Sequence, residues 1–233
     1  MFEGVIFDLD GLIVDGDTWQ LWAWNEYLKR YETQLSEEEW EQLVNLRAYD
    51  IAEVLRGRYN LPIDPLTITE ERQVILLELV EGLEKLEALP GALDVIEMLK
   101  NNGIKLAIAT PAYKDYVWLI LEKLGLDEMF DVLVTGDILT ETRPRPTPLI
   151  ACAETFALHP ANCLALAKDR AGVEAAITAG MRVICVPAPT VPRWRVTGAD
   201  IVLFSLDALN LTTLRSIWFA NGEEPRPQLY RIR

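Results

Sequence analysis

Short runs of consecutive apolar residues alternate along the chain with stretches whose apolar positions recur at helical spacing. The runs fall at 5–9, 105–109, 132–135, 163–167, 182–186 and 201–204. Continuous rather than alternating apolarity predicts strands buried on both faces, with helices covering them at 92–100, 115–124, 147–158 and 172–179. The expected fold class is α/β, a doubly wound and mainly parallel sheet with a Rossmann-like core.

Between the first strand and the helix at Ala92, residues 16–89 carry no strand signal. Ser36-Glu37-Glu38-Glu39 reads as a helix start with a capping box, 61–65 as a loop, and 69–86 as a long amphipathic helix. About 70 residues exceed what a connection needs. The stretch is therefore expected to be an all-helical domain inserted into a core of residues 1–15 and 90–233, with hinges at Gly16 and Leu89-Pro90-Gly91. Residues 221–233, with Gly222, Pro225 and Pro227, read as a loosely held tail.

With 233 residues, 50% hydrophobic and 25% charged, the chain suits a folded protein with a sizeable core and not a disordered or collagen-like one. Its 36 acidic and 22 basic residues give a formal charge of −14. Nucleic-acid and anionic-membrane partners are thereby disfavoured, and a phosphorylated substrate needs a local positive group or a metal. No apolar run reaches the roughly 18 residues of a membrane span, and the first residues lack a secretory pattern, so a cytoplasmic location is expected. Cys152, Cys163 and Cys185 are too widely spaced for a metal site and are expected to be buried thiols.

Candidate chemistry concentrates at strand ends. In Phe7-Asp8-Leu9-Asp10-Gly11, the period of two places Asp8 and Asp10 on one side and Leu9 on the other. Two carboxylates there repel unless a cation holds them, and Gly11 lets the backbone turn sharply beside a ligand. Thr110 ends the second strand, Asp169 the fourth, and Arg143 lies in the loop after the third. Thr110 and Asp169 also suit a helix N-cap role. The ends of parallel strands are where open α/β sheets bind ligands, so the set reads as one site.

FDLDGLIVD, the strand-end threonine, the RPRP loop and KDRAGVEAAITAGM together resemble the four motifs of the haloacid dehalogenase superfamily, nearest its phosphoglycolate phosphatase and β-phosphoglucomutase-like branch with a helical cap. The resemblance covers nearly the whole chain. It implies a phosphatase of a small phosphorylated metabolite that works through an aspartyl-phosphate. Asp8 is then the nucleophile and Asp10 the general acid and base, while Thr110 and Arg143 hold the phosphoryl group. Mg²⁺ is then held by Asp8, the carbonyl of Asp10, and Asp169. Gly11, Lys168 and Arg47 are assigned to substrate binding, Arg47 by alignment with a cap arginine of some relatives; a solvated helix residue is its plainer reading.

Three residues depart from the family pattern. Arg143 stands where a lysine is usual, Lys168 where an acid is usual, and Pro111 lacks the N–H that relatives use on phosphate. The site then has three acids and two bases instead of four and one, which lowers the expected metal affinity. A binding or regulatory protein with impaired turnover is the alternative. Gln20 replaces a histidine of the mutase branch, which weakens a mutase reading. Neither GxGxxG nor GK[ST] follows any strand, which disfavours dinucleotide enzymes and P-loop NTPases.

Overall fold

A computed structural model describes residues 2–138, 145–188, 191 and 193–219. Six parallel strands form one sheet: β1 (Gly4–Phe7), β2 (Lys105–Ala109), β3 (Val132–Val134), β4 (Cys163–Ala167), β5 (Arg182–Cys185) and β6 (Ile201–Val202). Their order is β3-β2-β1-β4-β5-β6. The α/β, doubly wound expectation holds, and the order reverses between β1 and β4, the crevice where such sheets bind ligands.

Register explains why the site assembles there. Phe7 pairs with Ile108 of β2 and with Leu166 of β4. Asp8, Thr110 and Lys168 therefore leave the sheet at one edge, side by side. The two faces differ in bulk. Phe7, Leu106, Ile108, Leu164 and Leu166 pack on one side, while Ala107, Ala109, Cys163, Ala165, Ala167 and Cys185 pack on the other. All three cysteines are buried and free, as expected, and burial pushes the thiol of Cys152 up to about 12. On the small-residue face, a Cβ at Gly172 would lie 2.9 Å from that of Ala167. The helix carrying Gly172 thus lies against β4 with almost no gap.

Helices α1 (Gly16–Leu28), α2 (Glu37–Leu43), α3 (Ala48–Tyr59) and α4 (Pro65–Glu81) follow β1, with no strand among them. They share an apolar cluster of their own, around Trp24, Tyr27, Leu43, Leu55 and Ile68. Ser36 and Glu39 form the expected capping box. α4 starts four residues before the expected position and stops five before its expected end. Asp64 caps it, accepting from the N–H groups of Leu66 and Thr67, and Pro65 occupies the first turn, where a missing N–H costs nothing. Helices α5 (Ala92–Asn101), α6 (Lys114–Leu124), α7 (Thr147–Thr155), α8 (Arg170–Thr178) and α9 (Leu211–Phe219) complete the chain. Arg143 and the tail at 221–233 lie outside the described residues. No described helix is long and apolar enough to cross a membrane.

Candidate active site

After β1 the chain reverses within a few residues. The N–H groups of Leu12, Ile13 and Val14 all reach the Leu9 carbonyl, and the Gly11 N–H bonds Val14 O at 2.7 Å. This tight loop needs Gly11 at φ +78°, a region costly for other residues. It also brings α1 back onto the acids. A Cβ at Gly16 would stand 1.8 Å from Asp10 Oδ1, so only glycine fits there.

Asp8 and Asp10 are both buried. Asp8 Oδ1 accepts from the N–H of Leu9 at 2.9 Å. Asp10 is held from two sides: the Tyr116 hydroxyl donates to Oδ1 at 2.7 Å, and Gln20 Nε2 donates to Oδ2 at 3.0 Å. Gln20 is itself oriented, because Arg72 Nη2 donates to both its side-chain and its main-chain oxygen. The Arg72 guanidinium is 1% exposed and lies 4.8 Å over the Trp24 ring. Burial pulls its pKa down to about 10, which still leaves it charged at neutral pH.

Lys168 places Nζ 2.6 Å from both oxygens of Asp17. This pair lies over Gly11, whose Cβ would meet Lys168 Cδ at 2.7 Å and Asp17 Oδ2 at 3.0 Å. Burial opposes the ammonium charge, yet the carboxylates of Asp17, Asp8, Asp169 and Asp10 outweigh it, and the lysine holds its proton more firmly than usual. Asp169 caps α8, accepting from Gly172 N at 2.8 Å, and its second oxygen accepts from Asn45 Nδ2 at 2.9 Å. The N-cap role considered for Asp169 is thus present, and its second oxygen ties the end of β4 to the helical insertion. Thr110 Oγ1 accepts from Ala112 N at 3.2 Å, which leaves its O–H to donate. Pro111 offers no N–H, and the next amide is turned back onto Thr110.

Asp8, Asp10, Thr110, Pro111 and Lys168 line one cavity of about 30 Å³ together with Asp17, Gln20, Trp40, Asn45 and Arg72. Gly11 and Asp169 face an adjoining groove that Lys168 also lines. Arg47 is not brought to the cavity: it precedes α3, and its Nε and Nη2 donate to Asp50 at 2.7 and 2.6 Å. The sequence reading missed Asp17, Asn45, Arg72 and Tyr116 as site residues.

Burial, with help from Asp17, pushes the Asp10 carboxyl up to about 7, against the pull of Lys168 and the Tyr116 hydrogen bond. In the unfolded chain it ionises near about 4, so the folded state binds the proton more tightly between these values and loses stability as pH rises through them. Without divalent cations, the melting temperature of the wild type relative to Asp10→Asn is expected to fall from about pH 5 to about pH 8. A difference that stays constant over that range would show that Asp10 is ionised throughout.

Residues 5–186 match the haloacid dehalogenase-like hydrolase family. The chain is 26% identical over 185 residues to the fructose-1-phosphate phosphatase of Escherichia coli, covering 79% of this chain and 96% of that one. It is 28% identical over 217 residues to hexitol phosphatase B of the same organism, covering 90% and 95%. Among solved structures, CbbY of Rhodobacter sphaeroides in complex with phosphate aligns with a TM-score of 0.83 at 27% identity, over 92% of this chain and 100% of that one. Because the family match runs from β1 through β5, it takes in every strand whose end contributes to the cavity, and the chain belongs to the haloacid dehalogenase-like hydrolase family.

Proposed function

We propose that the protein hydrolyses phosphate monoesters of small metabolites through an aspartyl-phosphate on Asp8. The observation that carries this reading is the pair of buried carboxylates two residues apart at the sheet's crevice, one of them, Asp10, held by Tyr116 and Gln20 and protonated up to about pH 7. Phosphatases among the relatives that act on fructose 1-phosphate, hexitol phosphates and phosphorylated carbohydrates support the substrate class.

In the first step an Asp8 oxygen attacks phosphorus and the bond to the leaving oxygen breaks, while Asp10 gives that oxygen its proton and an alcohol departs. In the second step water attacks phosphorus, its proton passes to the Asp10 carboxylate, and the phosphorus bond to Asp8 breaks. Inorganic phosphate leaves and both acids return to their starting states. Thr110 donates its hydroxyl to the phosphoryl oxygens, and Lys168 offsets their charge. Arg143 belongs to the same reading, outside the described residues. Helices α1–α4, residues 16–89, act as a cap domain over a core of 1–15 and 90–233.

Phosphatases of this family generally use Mg²⁺. Here Asp8, the carbonyl of Asp10 and Asp169 are the hard oxygen donors that would hold it, and the ion would shield the negative charge between nucleophile and substrate. The ammonium of Lys168 stands among those acids, and among the described residues no group of three carboxylates, histidines or thiols is arranged to hold a metal ion by side chains alone. Affinity for the ion is therefore weak. Phosphate release from a panel of small phosphate monoesters, with and without added Mg²⁺, tests the proposal. Release from at least one ester is expected, and none in either condition favours the non-catalytic alternative.

A further inference from the structure

Among the described residues, two cations line the cavity that holds Asp8 and Asp10, namely Arg72 and Lys168. Arg72 gives Nη2 to Gln20, the side chain that positions Asp10, and is committed there. Lys168 leaves the sheet beside Asp8, and it is already engaged: both oxygens of Asp17 lie 2.6 Å from its Nζ, in a side chain only 10% exposed. Arg170 and Arg195 line the adjoining groove and not the cavity, and Arg170 Nε donates to Glu174 at 2.7 Å.

Two distant parts of the chain are brought together for this pair. Asp17 comes from the start of α1 in the helical insertion and Lys168 from the end of β4, 151 positions away. Two glycines make room for the meeting. A Cβ at Gly11 would lie 2.7 Å from Lys168 Cδ and 3.0 Å from Asp17 Oδ2, and one at Gly16 would strike Asp10. Burial opposes the charge of the Asp17 carboxyl, and Asp8 and Asp169 repel it; Lys168 is what draws it in.

A carboxylate that grips an ammonium with two oxygens makes the contact that two oxygens of a phosphoryl group would make. The space does not admit both. About 30 Å³ has room for roughly two water molecules, fewer heavy atoms than a phosphoryl ester brings. Two anions on one ammonium, with Asp8 alongside, would also repel each other strongly at this degree of burial.

We propose that Asp17 is an internal competitor of the phosphoryl group: its carboxylate occupies Lys168 in the empty site, yields it to incoming phosphoryl oxygens, and retakes it as inorganic phosphate leaves. Affinity for phosphate is thereby held down and product release is favoured. The inference rests on the phosphatase reading for the placement of the phosphoryl group beside Asp8. Calorimetric titration with inorganic phosphate, in chelator and without divalent cations, reads the competition in the absence of turnover. Asp17→Asn, which keeps the shape and removes the charge, is expected to bind phosphate at least about tenfold more tightly than the wild type. The same substitution in a Lys168→Met background is expected to gain less than about twofold, because the group competed for is gone. In steady-state assays Asp17→Asn is expected to lower KM for a phosphate monoester and to strengthen inhibition by product phosphate. Asp17→Ser gives the same comparison if Asp17→Asn lowers the melting temperature. Equal or weaker phosphate binding by both Asp17 variants overturns the competition. So does a gain that persists in full without Lys168, which would mark plain charge repulsion. Tighter, Lys168-dependent phosphate binding with no phosphate release from any ester by the wild type would keep the competition and overturn the phosphatase reading.

Discussion

Asp8→Asn is expected to lower phosphate release from any monoester by at least about 10⁴-fold, to the level of the uncatalysed background. An amide cannot form the acyl phosphate, and no other described carboxylate takes over. Asp10 has both oxygens committed to Tyr116 and Gln20, and Asp17 is tied to Lys168. Asp10→Asn is expected to cost about 10²–10⁴-fold, the range of a lost general acid, and to cost less for an ester whose leaving group needs no proton. Measuring both variants on an alkyl phosphate and on p-nitrophenyl phosphate separates the roles. Wild-type turnover by Asp8→Asn would place the nucleophile elsewhere. An equal loss on both esters by Asp10→Asn would deny it the proton-transfer step.

Lys168→Met is expected to reduce kcat/KM for phosphate monoesters by about 10²–10³-fold, because it removes the positive charge that faces the phosphoryl group. Lys168→Glu is expected to act differently. It places a carboxylate beside Asp169 and changes the local charge by two among Asp8, Asp17 and Asp169. Calorimetric titration should then show Mg²⁺ bound at least about tenfold more tightly than by the wild type. The partner carboxylate must be watched in both variants, since Asp17 loses its ion pair and is left partly buried. Circular dichroism checks that the fold survives. Tight Mg²⁺ binding by the wild type, unchanged in Lys168→Glu, would show that this ammonium does not govern the oxygen donors.

The strands were legible because burial on both sides removes the polar alternation that hides a half-exposed strand. Asp8 and Asp10 were legible because two acids ending an apolar run have no packing role. Arg72 carried a readable signal that was not used. It lies at four-residue spacing with Ile68, Leu76 and Val80 on the buried side of α4, where an arginine must find polar partners. Asp17, Asn45 and Tyr116 offered no such signal. Each is ordinary for its local sequence, and its role arises from contacts across tens of residues, 106 for Tyr116 with Asp10 and 124 for Asn45 with Asp169. Arg47 shows the reverse case. Its alignment suggested a ligand, while a carboxylate three residues away takes the Nε and Nη2 side of its guanidinium.

The contrast between the two faces of the sheet sets how far this sequence can drift. On the bulky face, leucine, isoleucine and phenylalanine can exchange for one another with modest rearrangement, since total volume is what the packing demands. The other face has no such latitude. A single added methyl at Gly172 would push α8 off β4, and α8 begins at Asp169, directly after Lys168. Alanine and cysteine there act as spacers that set the height of the charged end of the cavity. A larger side chain at Ala165, Ala167 or Cys185 would therefore strain the core and, by displacing α8, shift the segment that begins at Asp169, so that packing and site geometry would change together.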